Sequence, residues 1–267
     1  MVNTINRAIG GKLAAFLSKP LRGYRRLDTV STAQMADVLE TGDILLVEGN
    51  TRISSAIKYL TQSSWSHATL FVGLKGEPAS TLNLLEADLQ AGVRLIAIDH
   101  YQGFNLRICR PVNLNQNDKD RLVDFAKGKL GHKYDLRNVL DLTRYLIQKP
   151  AVPLHYRRAM IDFGSGEPTK AICSTLIAET FQFIDYPILP LHGRADRFGD
   201  ESKSTADLSS TVFDNGEDGE VPLYYKRHFT HFTPRDFDLS PYFKIIKPTI
   251  EHGFDHHALH FETDSES

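Results

Sequence analysis

Ser66-His67-Ala68-Thr69-Leu70-Phe71-Val72-Gly73 reads as a strand. Its period of two puts Ala68, Leu70 and Val72 on one face and His67, Thr69 and Phe71 on the other. An imidazole opening an otherwise apolar strand is firmly held and still close to a rim, where it can exchange a proton with a neighbour.

Downstream, Leu84-Leu85-Glu86-Ala87-Asp88 holds an acid inside an apolar run, in a strand predicted over 81–87. Gly76-Glu77-Pro78 supplies a turn between the two strands. Folded about Gly76-Glu77 as an antiparallel hairpin, the pair sets Glu86 across from His67 on one face. A carboxylate beside an imidazole fixes its tautomer and stabilises the imidazolium. Asp88, two residues on and on the same face, is the reserve for that role.

Further strands are predicted at 44–47, 92–98 and 104–110, with Gln90-Ala91-Gly92 and Gln102-Gly103 as turns. Short helices are expected at 31–41 and 50–62. After Pro111 the pattern turns helical, over 116–130 behind Asn115 as cap, over 136–148 and over 173–184. Strands first and helices afterwards favour an α+β fold over a doubly wound sheet.

Cys173, in Ala171-Ile172-Cys173-Ser174-Thr175-Leu176, stands where a loop becomes an amphipathic helix. Unpaired N–H groups and the positive end of the helix dipole favour a thiolate there. With His67 as base and Glu86 as orienter, Cys173 becomes a candidate nucleophile. The bland alternative is a buried thiol packing as a small hydrophobe. Cys109, in a strand beside Ile108, takes that reading.

Two cysteines cannot build a disulfide framework and suit a reducing compartment. A net charge of -2 gives no footprint for nucleic acid. No stretch has the roughly 20 apolar residues needed to span a bilayer, so the expected location is cytoplasmic. Of 11 histidines, six lie in the polar C-terminal region. His256 and His260 stand at i, i+4, but no cysteine or compact acid cluster completes a metal site, and neither metal nor cofactor is expected.

These residues resemble the YiiX/YebB-like branch of the NlpC/P60 superfamily. The matching pieces are Thr41-Gly42-Asp43-Ile44-Leu45, Trp65-Ser66-His67 through Gly73, Leu85-Glu86-Ala87 with Gly92-Val93, Gly131-His132-Lys133-Tyr134-Asp135, Ile172-Cys173-Ser174-Thr175-Leu176-Ile177, and Thr233-Pro234-Arg235-Asp236-Phe237. The resemblance implies a permuted papain-like fold, in which a small antiparallel, barrel-like sheet supplies His67 and Glu86 and a packed helix supplies Cys173. It implies a cysteine hydrolase and a structural Gly42-Asp43, and it places Tyr134 in the site lining.

The expected boundaries are a basic amphipathic extension at 1–37, a hydrolase domain at 38–248 with an acidic surface loop at 199–222, and a frayed tail at 249–267. Residues 1–27 carry Arg7, Lys12, Lys19, Arg22, Arg25 and Arg26 and no acid. Such a helix docks on the protein itself or lies peripherally on an anionic membrane. The substrate class stays open between amide, peptide and lipid acyl groups. An LRAT-like lipid acyltransferase, a non-catalytic peptide- or lipid-binding module and a metal-dependent protein are the rival readings.

Overall fold

The computed structural model describes residues 19–20, 24, 30–88, 91–133, 172–193, 211–212 and 223–258. Its centre is β1 (Ile44–Glu48), a run with no polar residue before Glu48. The run is continuous because both faces of the strand are covered. Ile44 and Leu46 enter one hydrophobic cluster and Leu45 and Val47 the other.

Around β1 lie β2 (His67–Phe71), β3 (Leu84–Asp88), β4 (Gly92–Ile96), β5 (Asn105–Pro111) and β9 (Phe243–Ile246). They form one antiparallel sheet in the order β4-β3-β2-β1-β5-β9. The expected α+β class holds, but the sheet is not closed: among the described residues β4 and β9 are its outer strands. A smaller sheet pairs β8 (Leu223–Tyr225) with β6 (Leu191–Gly193) and β7 (Thr211–Val212). The strand β7 thus lies within the stretch expected as an acidic loop; the rest of that loop falls outside the described residues.

Helices cover both faces of the main sheet. Short α1 (Thr32–Val38) is closed by a capping box in which Ser31 and Gln34 satisfy each other's backbone N–H groups. It buries Met35, Ala36 and Val38 against Leu45 and Val47. On the opposite face lie α3 (Gln116–Gly128) and α4 (Ile172–Phe183). There Leu176, Ile177 and Phe181 of α4 pack on Ala68, Leu70 and Leu85. Each such buried side chain contributes about 1.5–3 kcal/mol. A further helix, α2 (Arg52–Thr61), follows β1, and α5 (Pro234–Leu239) and α6 (Pro248–Glu251) flank β9. The predicted helix at 136–148 lies outside the described residues.

The β2–β3 register corrects the predicted hairpin. Leu70 pairs with Leu85 and Phe71 with Leu84, two residues away from the alignment that would set Glu86 directly opposite His67. The first strand also ends sooner and the second starts later than their apolar runs suggest, leaving 72–83 as a connection. A slip of two residues preserves the face of every side chain, so Glu86 stays on the His67 side and reaches it diagonally.

At the far end of β1 the Gly42-Asp43 pair is structural. Gly42 turns with φ +94°. The fully buried Asp43 accepts from Arg110 Nε at 2.9 Å and Nη2 at 2.7 Å, and from the Glu40 N–H at 2.8 Å. Burial pushes the Asp43 carboxyl above its ordinary range against the pull of Arg110. A cleft of about 270 Å³ opens beside this pair, lined also by Lys119 and Lys244 and by no residue of the Cys173 site.

Candidate active site

His67 opens β2, and the segment before it is pinned by side chains. Trp65 Nε1 donates to Asp238 Oδ2 at 3.1 Å, and Arg107 Nη1 to Asp238 Oδ1 at 2.6 Å. The Arg107 guanidinium lies 4.8 Å from the centre of the Trp65 ring. Ser66 Oγ accepts the Gly49 N–H at 2.9 Å. These contacts fix the backbone that delivers the imidazole.

Cys173 is the second residue of α4, and only 6% of it is exposed. The N–H groups of Ala68 and Ser174 both hydrogen-bond its sulfur, and His67 bonds it through the ring. Burial pushes the thiol up. The His67 charge, its hydrogen bond and the two backbone donors outweigh burial and hold the thiol below its ordinary range. Burial likewise opposes the His67 cation. The Cys173 charge and hydrogen bond, followed by those of Glu86, raise His67 to about 10.

Glu86 is 4% exposed and takes four donors. Its Oε2 lies 2.9 Å from His67 Nε2 and accepts the Tyr101 hydroxyl at 2.6 Å. Its Oε1 accepts Arg94 Nε and Nη2, each at 2.8 Å. Burial pushes the carboxyl up, but the His67 hydrogen bond and charge, then Tyr101 and Arg94, bring it down to about 2. An ionised carboxylate only accepts, so His67 Nε2 carries the proton of their shared bond and Nδ1 is left for the sulfur.

The sequence-predicted Cys173, His67 and Glu86 are therefore brought together. Asp88 is not at the imidazole: it ends β3, where its Oδ1 accepts the Ala91 N–H at 2.7 Å in the turn to β4. Tyr134 lies outside the described residues. Cys109 is buried in β5, where burial pushes its thiol far up. Away from the site, Asp255, His256 and His257 bring one potential ligand atom each within 4.8 Å of one another, all on exposed side chains. His260, four residues beyond His256, lies outside the described residues.

Two residues of the site went unread in the sequence. Arg94 is a charge inside the apolar run Gly92-Val93-Arg94-Leu95-Ile96, the same signal that singled out Glu86, and the register sets it directly opposite that acid. Tyr101 ends a 3₁₀ turn, Ile98–Tyr101, and no periodicity marks it.

Comparison with known proteins bears on this geometry. Residues 38–146 match the model of a family described as permuted papain-like amidase enzymes, YaeF/YiiX, C92 family. The matched stretch contains His67, Glu86, Arg94 and Tyr101; Cys173 lies beyond it. Among solved structures, that of metalloprotein yiiX from Escherichia coli O157:H7 is 17% identical over 78% of this chain and 96% of its own, with a TM-score of 0.43. No curated protein matches the chain.

Proposed function

We propose that this chain, whose residues 38–146 match the model of the YaeF/YiiX permuted papain-like amidase family, is a cysteine hydrolase cleaving an acyl bond through Cys173, His67 and Glu86. The observation that carries the reading is the hydrogen-bonded series from Cys173 through His67 to Glu86 at a helix start.

The Cys173 thiolate attacks the acyl carbon and forms the C–S bond of a tetrahedral intermediate. A backbone N–H at the start of α4 stabilises the oxyanion, an interaction whose loss in such sites costs about 3–4 kcal/mol. As the intermediate collapses, His67 gives its Nδ1 proton to the departing nitrogen or oxygen, leaving a thioester. Water then loses a proton to His67 and attacks the thioester. The second collapse releases the acid and restores thiolate and imidazolium. Glu86 stays ionised throughout and holds the ring.

An amide is the substrate class best supported, since the matched family is one of amidases. A lipid acyl substrate is favoured only if the basic residues 1–27 meet a membrane surface. No described helix is long and apolar enough to cross one.

The test is the rate of Cys173 alkylation against pH, read by peptide mass spectrometry with Cys109 as internal reference. Reaction well below pH 7 that disappears in His67→Ala supports the hydrolase, and hydrolysis of acyl amides against matched esters then assigns the bond. Reaction only near the ordinary thiol pKa of about 8.5 sinks the reading and leaves a binding module.

A further inference from the structure

We propose that Arg94 and Tyr101 are positioning residues of this site: between them they bind both oxygens of Glu86, keep it ionised and aim one oxygen at His67 Nε2. The inference rests on the hydrolase reading and adds to it the groups that keep the orienting acid competent.

A carboxylate this buried takes up a proton unless it is paired. A protonated Glu86 would offer His67 a hydroxyl instead of an anion, and the imidazolium would lose its counter-charge. Arg94 and Tyr101 prevent this in different ways. Arg94 is set by the backbone, opposite Glu86 in the β3–β4 ladder, and its side chain is 40% exposed, so it brings a charge in from the solvent side. Tyr101 is buried and neutral, and it brings direction. Its 3₁₀ turn is tied to α1 by the Thr32 hydroxyl, which donates to Asp99 Oδ1 at 2.6 Å, and its ring meets Phe104 edge-on at 6.1 Å. Among the described residues, the other titratable or charged groups facing this cluster are Cys173 from α4, His67 from β2, Asp88 from β3 beside Arg94, and His100 against the Tyr101 ring.

The experiment repeats the pH profile of Cys173 alkylation in Arg94→Gln, Arg94→Lys and Tyr101→Phe, each checked for native circular dichroism and melting. Arg94→Gln should move the acid limb of the profile up by roughly one to three pH units, and Arg94→Lys should restore most of that shift. Tyr101→Phe, which keeps shape and charge, should move the limb the same way by about one unit. A folded Arg94→Gln and a folded Tyr101→Phe with wild-type profiles overturn the inference and leave the hydrolase standing. An ordinary thiol profile in the wild type overturns both.

Discussion

Tyr101 Oη and His67 Nε2 meet at a single oxygen, Oε2 of Glu86, at 2.6 and 2.9 Å. The imidazole shares its acceptor with the Tyr101 phenol, so the oxygen it bonds is held in place by a third residue. This makes Glu86 the joint of the site rather than its remote end.

Glu86→Gln should be severe although it is nearly isosteric. An amide has one accepting oxygen where the site has donors on both sides, so either Arg94 or the pair Tyr101 and His67 must face an NH₂ group. Cys173 alkylation at pH 6 is expected to fall roughly 10- to 1,000-fold with the fold retained, the equivalent of one to three pKa units. Alkylation kinetics with circular dichroism check it.

His67 is raised in the folded chain to about 10, from an ordinary value of 6.5. Its stabilising contribution is therefore fully present below pH 6.5 and is lost as pH rises through about 10. Glu86 works the other way: lowered to about 2, it contributes above pH 4.5 and loses that contribution as pH falls through about 2. Cys173, held below its ordinary 9.0, gains stability where His67 loses it, so urea unfolding should find the wild type nearly level from pH 6.5 to 9 and declining between 9 and about 10. In Cys173→Ala the decline should start lower, because the thiolate that offsets it and holds the His67 proton is gone. An NMR titration of the His67 ring in both proteins gives the same comparison directly.

Arg110→Met should destabilise without touching the Cys173 profile. It strips the buried Asp43 of its guanidinium partner at the far end of β1. Removing one member of a buried pair costs about 3–5 kcal/mol. Adding Asp43→Asn should recover part of that loss, since the orphaned charge disappears. Denaturant midpoints of the single and double variants decide it, and equal midpoints would sink the account.

Gly92→Ala should damage the site from a distance. Gly92 has φ +79°, and a Cβ there would lie 2.4 Å from the carbonyl oxygen of His132, which is backbone and cannot rotate away. That carbonyl accepts the Val93 N–H, so the start of β4 must move, and Arg94 with it. The expected result is a loss of more than 1 kcal/mol in stability together with an upward shift of the acid limb of Cys173 alkylation. A melting temperature equal to wild type would refute it.

Much of this site was legible because its chemistry is local. Cys173 announces itself through the helix that begins beside it, and His67 through its place at the mouth of an apolar strand. Glu86 was found with a register two residues away from the real one. The inference survived because side-chain facing repeats every two residues, so an error of two preserves the face and an error of one would have sent Glu86 into the α4 side of the sheet. The length of the 72–83 connection set that register, and no turn residue states it. Arg94 needed only the reasoning applied to Glu86, extended one strand further. Tyr101 could not be found that way, because a 3₁₀ turn has no period to read and its role depends on the packing of α1 and Phe104 around it.

Cys173, His67, Glu86 and Arg94 form a row in which the preferred charges alternate, thiolate, imidazolium, carboxylate, guanidinium. Such a row sums to zero, and its field dies away faster than that of a lone ion. Dissolved salt then has little to screen, and a charged molecule in bulk solvent feels little pull toward the sulfur. Discrimination among substrates is left to shape and hydrogen bonding at contact. Chemistry at Cys173 should accordingly run at nearly the same rate in dilute buffer and in strong salt.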